Sequence, residues 1–96
     1  MNSYYVYILA NKRNGTLYTG LTSDVFGRTY QHREELVDGF TRKYHIHRLV
    51  YYEEFADPEA AINREKCIKR WKRQWKLNLI EKENPGWRDL YQDFLV

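Results

Sequence analysis

The stretch YVYILANKRNGTLYTG, residues 5–20, decides the fold of this chain. Aromatic, β-branched and aliphatic residues fill both of its ends, as is typical of strands. Between them, Asn14-Gly15 is a strong hairpin signal because both residues tolerate a positive φ. We therefore predict two antiparallel strands, over residues 4–10 and 16–22.

The turn leaves two registers open, and both place Tyr7 and Tyr18 on the same face of the hairpin. A two-residue turn is one possibility. A four-residue loop, Lys12 to Gly15, is the other, and it would set Tyr7 opposite Gly20 and diagonal to Tyr18, within reach of long side chains.

Strand alternation divides the hairpin into two different faces. One face carries the residues of a conventional core: Val6, Ile8, Ala10, Leu17 and Leu21. The other carries Tyr5, Tyr7, Leu9, Tyr18 and Gly20. A glycine inside a strand gives up packing, and it often marks close approach by a ligand or another backbone. The second face is therefore a candidate floor for a site.

The middle of the chain predicts one helix and one further strand. Ser23 or Asp24 can cap a helix that runs to about Val37, with Asp38-Gly39 as its stop. Residues 40–47 are expected to form an irregular loop with many basic and aromatic residues, and residues 48–55 to form a third strand.

The C-terminal half predicts helices. Asp57-Pro58 is a helix start, with a cap residue followed by proline at the first helical position. The helix is expected to continue into the seventies, with an apolar stripe that includes Trp71 and Trp75, and residues 77–83 to continue it, with or without a bend. A stop follows at residues 84–86 and a last short amphipathic helix comes after it.

Composition limits the classes of protein that fit. The 96 residues, 43% hydrophobic and 30% charged, suit a single globular domain over residues 1–96. Cys67 is the lone cysteine, and neither a signal peptide nor a membrane-spanning run is evident. We expect a protein of the cytoplasm without membrane association.

Charge is concentrated in one segment. Residues 64–76 carry seven Lys/Arg and one Glu, whereas the whole chain has a net charge of only +3. Such a patch favours a polyanionic partner, although a charge run by itself is more often a solvated helix face.

The candidate catalytic residues each have a plain structural alternative. Tyr7 and Tyr18 could be strand packing, and Arg28 and His32 could share an exposed helix face. Glu65 could form a surface ion pair with Lys69, worth about 0.3–0.5 kcal/mol.

Other polar residues have alternatives too. Asn84 could simply end a helix before proline. The pair His45-x-His47 has too few nearby carboxylates to suggest a metal site, and we interpret it as loop.

Together, the candidates suit phosphodiester cleavage. That reaction needs a base for the attacking water, a cation for the phosphate charge and, in most such enzymes, a divalent metal on a carboxylate.

Taken together, these motifs resemble the GIY-YIG nuclease superfamily, most closely its small single-domain bacterial members of uncharacterised function. Tyr5-Val6-Tyr7 stands at the first triplet and Tyr18-Thr19-Gly20 at the second. Arg28 and His32 match an arginine with a histidine one helical turn later. The segments RKYHIHRLVYYEEF, AINREKCIKRWKRQWK and LIEKENPGWRDL match the basic loop and third strand, the glutamate helix and the C-terminal segment. Tyr5 and Thr19 depart from the triplets, and Tyr5 could narrow the cleft.

The resemblance implies an α+β fold: a small three-stranded antiparallel sheet flanked by helices, in the order β-β-α-β-α-α. It implies a catalytic set comprising Tyr7, Tyr18, Arg28 and His32. Tyr7 would be the general base, helped by a lowered pKa, which nearby cations could supply, or by a proton acceptor. Tyr18 would position the water or the phosphate.

The remaining roles follow from the same resemblance. Arg28 would stabilise the developing charge, and His32 would orient the phosphate or assist proton transfer. Glu65 would hold one Mg²⁺ or Mn²⁺ ion. Nucleic-acid contacts are expected from Lys43, Arg64, Lys69, Arg70, Lys72, Arg73 and Asn84, of which Asn84 could instead be structural.

We therefore expect an endonuclease that acts on nucleic acid, DNA before RNA, with structure-specific or low sequence specificity, as a monomer and with no small-molecule cofactor. A catalytically silent nucleic-acid-binding domain is the main alternative. A membrane- or partner-binding basic helix is a weaker one, because Trp71, Trp75 and Leu79 are expected in the core.

Overall fold

Three antiparallel strands form the sheet, in the order β2-β1-β3. The structure, a computed structural model, describes residues 2–95. Strand β1 spans Tyr4–Ala10, β2 spans Leu17–Thr22 and β3 spans Arg48–Phe55. The predicted three-stranded antiparallel sheet is confirmed, and the strand next to both others is the one that opens the hairpin.

The hairpin adopts the register of the four-residue loop. Tyr7 pairs with Gly20. The Asn11 amide donates to the Thr16 carbonyl at 3.3 Å, so residues 12–15 form the loop. Asn14 takes a positive φ of 57°, which asparagine tolerates better than most residues.

Helices pack on both faces of the sheet. They are α1 (Val25–Arg33), α2 (Phe40–Lys43), α3 (Pro58–Arg70), α4 (Arg73–Glu83) and a C-terminal 3₁₀ helix (Leu90–Leu95). The predicted caps are present, because Asp24 accepts from the Gly27 amide and Asp57 from the Glu59 amide. Within residues 2–95, no helix is long and apolar enough to cross a membrane.

Helix α1 ends at Arg33, and the prediction that it reaches Val37 is wrong. Glu35 has φ 55°, and its amide bonds the His32 carbonyl while the Leu36 amide bonds the Gln31 carbonyl at 2.8 Å. This is a Schellman motif, which reverses the chain at the first left-handed residue. The remaining residues before β3 contain α2, where only a loop was expected.

The long basic helix is broken. Trp71 and Lys72 have extended backbone, with ψ of 146° and 153°, so α3 and α4 are separate helices. The break lies earlier than the bend considered near residue 77. It also moves Trp75 off the apolar stripe, so the prediction that this side chain is core is wrong: it is 50% exposed.

The sheet has a core on each side, as the alternation predicted. The aliphatic face packs β1 against α3, α4 and Trp87 through Val6, Ile8, Ala10, Val50, Ala61, Ile68 and Ile80. The tyrosine face packs the sheet against α1 and the 3₁₀ helix through Tyr7, Leu9, Val25, Ile46, Leu49 and Tyr91, with Tyr18 at its margin.

Candidate active site

Tyr7 lies at the centre of the tyrosine face, with only 1% of its surface exposed. Its ring lies over Gly20: a Cβ at that glycine would stand 2.4 Å from the Tyr7 Cζ and Oη atoms. The glycine was expected to admit a ligand or another backbone. Instead, the absent side chain makes room for the ring of its own cross-strand neighbour.

A chain of buried polar groups runs from Tyr7 to Thr41. The Tyr7 Oη lies 3.1 Å from His32 Nε2, and His32 Nδ1 lies 3.0 Å from Thr41 Oγ1. With the ring proton on Nδ1, His32 donates to Thr41 and accepts from the Tyr7 hydroxyl. Tyr18 completes the cluster, with its ring centroid 6.3 Å from that of Tyr7 and 5.6 Å from that of His32.

Burial keeps both ends of the Tyr7–His32 hydrogen bond neutral. Desolvation, followed by the neighbouring Tyr18, raises the pKa of Tyr7 to about 12, although the nearby Arg28 guanidinium acts in the opposite direction. Desolvation, followed by the charges of Arg28 and His47, lowers the pKa of His32 to about 4. The expectation that cations lower the pKa of Tyr7 below normal is therefore wrong, but the alternative, a proton acceptor, is present as His32.

Arg28 and Glu65 approach this cluster from two different helices. The positive charge of Arg28, on α1, acts to lower the pKa of both Tyr7 and His32. Its guanidinium donates to Gln31 Oε1 at 3.1 Å. Glu65 on α3 has a side chain only 15% exposed, and its charge also raises the pKa of Tyr7. Its carboxylate pairs with Lys69 Nζ at 2.9 Å, the plain alternative considered for it. A partly buried carboxylate whose partner is an exposed lysine can exchange that partner for another cation.

Two of the expected nucleic-acid contacts are engaged in the fold. Arg64 forms a two-point bond with Glu53, at 2.8 and 3.2 Å. Arg73 donates to the carbonyl oxygens of Asn14 and Gly15, at 2.6 and 2.7 Å, and so ties α4 to the hairpin loop. The remaining basic candidates are exposed: Lys43, Lys69, Arg70 and Lys72.

Asn84 has a structural role, and we assign it no nucleic-acid contact. It is 6% exposed, and its Nδ2 donates to the carbonyls of Val50 at 3.1 Å and Arg88 at 2.8 Å. Its Oδ1 accepts from the Arg88 amide at 3.0 Å. The whole amide group is thus used to fasten the end of α4 to β3, which was the structural alternative.

His45 and His47 lie in a loop, as interpreted, but the expectation that too few carboxylates lie near them is wrong. Glu35 Oε2 lies 3.0 Å from His45 Nδ1, and donor atoms of Glu35, His45 and His47 all lie within 4.8 Å of one another. A carboxylate is therefore present. Sequence reasoning missed both Glu35 and Thr41, because each reaches its partners through the unpredicted turns around α2, and no residue spacing signals those turns.

Comparison with known proteins agrees with the geometry. The GIY-YIG catalytic domain family matches residues 3–78. A UPF0213 protein of Staphylococcus haemolyticus is 40% identical over 81 residues, which cover 84% of this chain and 98% of that protein. A UPF0213 protein of Staphylococcus saprophyticus is 38% identical over 80 residues, covering 83% and 96%.

A solved structure has the same fold. The solution NMR structure of a UPF0213 protein from Bacillus halodurans superposes with a TM-score of 0.58 and 31% identity, covering 91% of this chain and 92% of that one. The family match begins just before the first tyrosine triplet and includes Arg28, His32 and Glu65. This chain belongs to the GIY-YIG family.

Proposed function

We propose that this chain acts as a single domain and is a metal-dependent endonuclease that hydrolyses phosphodiester bonds of nucleic acid, most simply DNA. The observation that supports this most is the buried chain Tyr7–His32–Thr41, whose tyrosine is near enough to Arg28 and Glu65 for both of their charges to shift its pKa. A phenol with a proton acceptor, next to a fixed cation and a carboxylate, has the groups that such a hydrolysis requires.

Tyr7 would act as part of a proton relay. A neutral phenol with a raised pKa is a poor base by itself. As the attacking water loses its proton to the Tyr7 oxygen, the phenol proton passes to His32 Nε2. This requires the tautomer in which Nδ1–H donates to Thr41. A phosphate anion next to His32 would favour the protonated ring and so offset its low pKa.

Arg28 and Tyr18 would handle the phosphate. A guanidinium is permanently charged and presents donors in a fixed fork, which suits the oxygens of a phosphorane-like transition state. Tyr18 lies against both Tyr7 and His32 and can orient the water or the phosphate with its hydroxyl.

Glu65 would hold the divalent cation. Mg²⁺ keeps several waters and needs only one or two protein carboxylates, so a single glutamate beside a phosphate-binding arginine fits. When bound, the ion would supply positive charge to the leaving oxygen. Lys69 would then exchange its partner and become one of the exposed lysines and arginines that contact the phosphate backbone without reading sequence.

The test is a cleavage screen with purified protein. Single-stranded, duplex and branched DNA, and RNA of the same sequences, are incubated with Mg²⁺, with Mn²⁺ or with EDTA. We expect metal-dependent cleavage of at least one form. Arg28→Ala and Glu65→Gln should each lower the rate by ~100-fold or more. Glu59→Gln, at the exposed start of the same helix as Glu65, is the matched control and should cut normally.

Absence of cleavage for every form, with DNA binding retained, would contradict the proposal. That result would favour the catalytically silent nucleic-acid-binding domain.

A further inference from the structure

Glu35, His45 and His47 converge at the surface between α1 and β3, beside the candidate active site. Their donor atoms lie within 4.8 Å of one another, and Glu35 Oε2 already bonds His45 Nδ1 at 3.0 Å. His45 is well exposed, at 72%, and Glu35 is one-third exposed. The cluster is therefore open to an ion from solvent, and two of its three members are imidazoles.

Two of these residues occupy unusual backbone positions. Helix α1 ends in a Schellman motif with Glu35 at its left-handed residue, and α2 ends in a second one with His45 in the same place. Their φ angles are 55° and 54°. In the second motif the Ile46 amide bonds the Thr41 carbonyl at 2.9 Å and the His45 amide bonds the Arg42 carbonyl. Glycine is the usual residue there, because a Cβ makes the left-handed conformation costly.

The same two motifs aim the side chains at each other. A glycine at either position would relieve the backbone and remove a donor. An exposed pair such as Glu35–His45 contributes little stability by itself. Asn14 and Trp87 are also left-handed, so the backbone alone does not call for a ligand; what sets Glu35 and His45 apart is that their side chains meet each other and His47.

We propose that Glu35, His45 and His47 bind one divalent transition-metal ion of the zinc class, at a site distinct from Glu65. Two imidazoles and one carboxylate form a ligand set that suits Zn²⁺ or Co²⁺, whereas Mg²⁺ prefers oxygen ligands alone. Zinc–ligand bonds of about 2.1 Å require donor atoms about 3.4 Å apart in a tetrahedron, so small side-chain rotations close the set.

Such an ion would fasten the segment between α1 and β3. Its ligands flank α2, which carries Thr41, the hydrogen-bond partner of His32. Binding would therefore hold Thr41 in place and stabilise the folded chain, because the three donors come together only on folding.

The experiment is a Zn²⁺ titration of tag-free, metal-stripped protein by calorimetry, followed by Co²⁺ absorption spectra. The exposed Cys67 is changed to serine throughout, because a thiol could bind zinc by itself. We expect one Zn²⁺ per chain and a higher Tm with Zn²⁺. Three variants each remove one ligand: Glu35→Gln, His45→Gln and His47→Gln. Each should weaken Zn²⁺ binding by at least ~10-fold, because loss of a residue that only hydrogen-bonds a ligand already costs that much.

Two controls separate this site from others. Glu34→Gln, at the neighbouring exposed carboxylate, should bind Zn²⁺ as the parent does. Glu65→Gln should also bind normally while losing nucleic-acid cleavage, so failure of this proposal and of the nuclease proposal can be distinguished.

Glu35→Gly provides a test that does not depend on a poorly folded variant. Because it restores the usual residue of a Schellman motif, the metal-free protein should be as stable as the parent or more so, yet should no longer bind Zn²⁺. The proposal is overturned if the parent shows no saturable binding of one Zn²⁺, if binding survives in all the ligand variants, or if Glu35→Gly still binds.

Discussion

The two faces of the sheet are built from the same strands and bury their side chains equally well, but they differ in chemistry. Neighbouring residues of β1 show the contrast: Tyr7 points to one side and Ile8 to the other, and both are essentially inaccessible. On the aliphatic face, burial removes mainly apolar surface from water, at about 25 cal/mol for each Å², although Tyr51 and Trp87 also bury polar atoms there. On the tyrosine face, burial also removes the hydroxyl of Tyr7 and the imidazole of His32 from water.

Polar groups can be buried only when they are paired. The tyrosine face meets this condition through Tyr7–His32–Thr41. Within residues 2–95, every buried side-chain nitrogen or oxygen has a hydrogen-bond partner. Changes on the tyrosine face should therefore alter chemistry most, whereas changes on the aliphatic face should alter stability.

The largest expected effect comes from Tyr7→Phe. Loss of the hydroxyl removes the proton relay and should lower the cleavage rate by ~100-fold or more, while the unpaired His32 Nε2 costs only about 1–2 kcal/mol of stability. The matched change on the opposite face, Ile8→Val, should cost about 1 kcal/mol and leave cleavage intact. Cleavage rates measure the effect on chemistry, and urea unfolding measures the effect on stability. If the two variants cleave equally fast, the tyrosine face has no special chemical role.

Asn84→Ala should show the reverse pattern. The carbonyl of Val50 and the backbone groups of Arg88 lose their partners, so unfolding free energy should fall by about 2–4 kcal/mol. Because the amide is buried, affinity for DNA, measured by fluorescence anisotropy below the melting temperature, should not change. A weaker affinity in a variant of normal stability would restore the role as a phosphate contact.

Gly20→Ala tests the contact at the centre of the tyrosine face. The added Cβ would collide with a rigid, buried ring, so stability should fall by about 1–3 kcal/mol and cleavage with it. Gly86→Ala is the matched control, since its Cβ would meet nothing within 4 Å. Thermal unfolding gives the change in Tm for both variants. Equal changes would contradict the close packing of Tyr7 on Gly20.

His32 should make the fold sensitive to mild acid. Its pKa of about 4 lies below the value of about 6.5 that it has when unfolded, so only the unfolded chain gains a proton between these values. The contribution of neutral His32 to the stability of the folded chain is therefore complete above pH 6.5 and is lost as the pH falls towards 4. Between pH 7 and pH 5 it should amount to roughly 2 kcal/mol. Urea unfolding of His32→Gln, which cannot titrate, should lack this loss. If the unfolding free energies of the parent and of His32→Gln fall in parallel between pH 7 and pH 5, His32 is not the group responsible.

The smallest effect is expected from Thr41→Val. The change keeps the shape of the side chain and removes the partner of His32 Nδ1, at a cost of about 1 kcal/mol. We expect kcat to fall severalfold while KM stays constant, because the tautomer of His32 is less well fixed and substrate contacts are unchanged. A change in KM alone would indicate that Thr41 acts only on the shape of the binding surface.

The sequence by itself determined the hairpin, its two faces and the placing of Tyr7 and Tyr18 on the same face, whereas the structure decided the register. These are local properties: strand alternation has a period of two, and a short loop leaves few registers. It also indicated the two caps, Ser23 or Asp24 for the first and Asp57 for the second, because a cap acts within a few residues of itself.

Only the tertiary structure decided the rest. The end of α1 at Glu35, the break at Trp71 and the exposure of Trp75 depend on how each segment packs on the sheet, which helix periodicity cannot show. Thr41 and Glu35 gained their roles because two left-handed residues reverse the chain around α2. The pKa of Tyr7 rises because burial outweighs its neighbouring cation, and burial is a property of the whole fold.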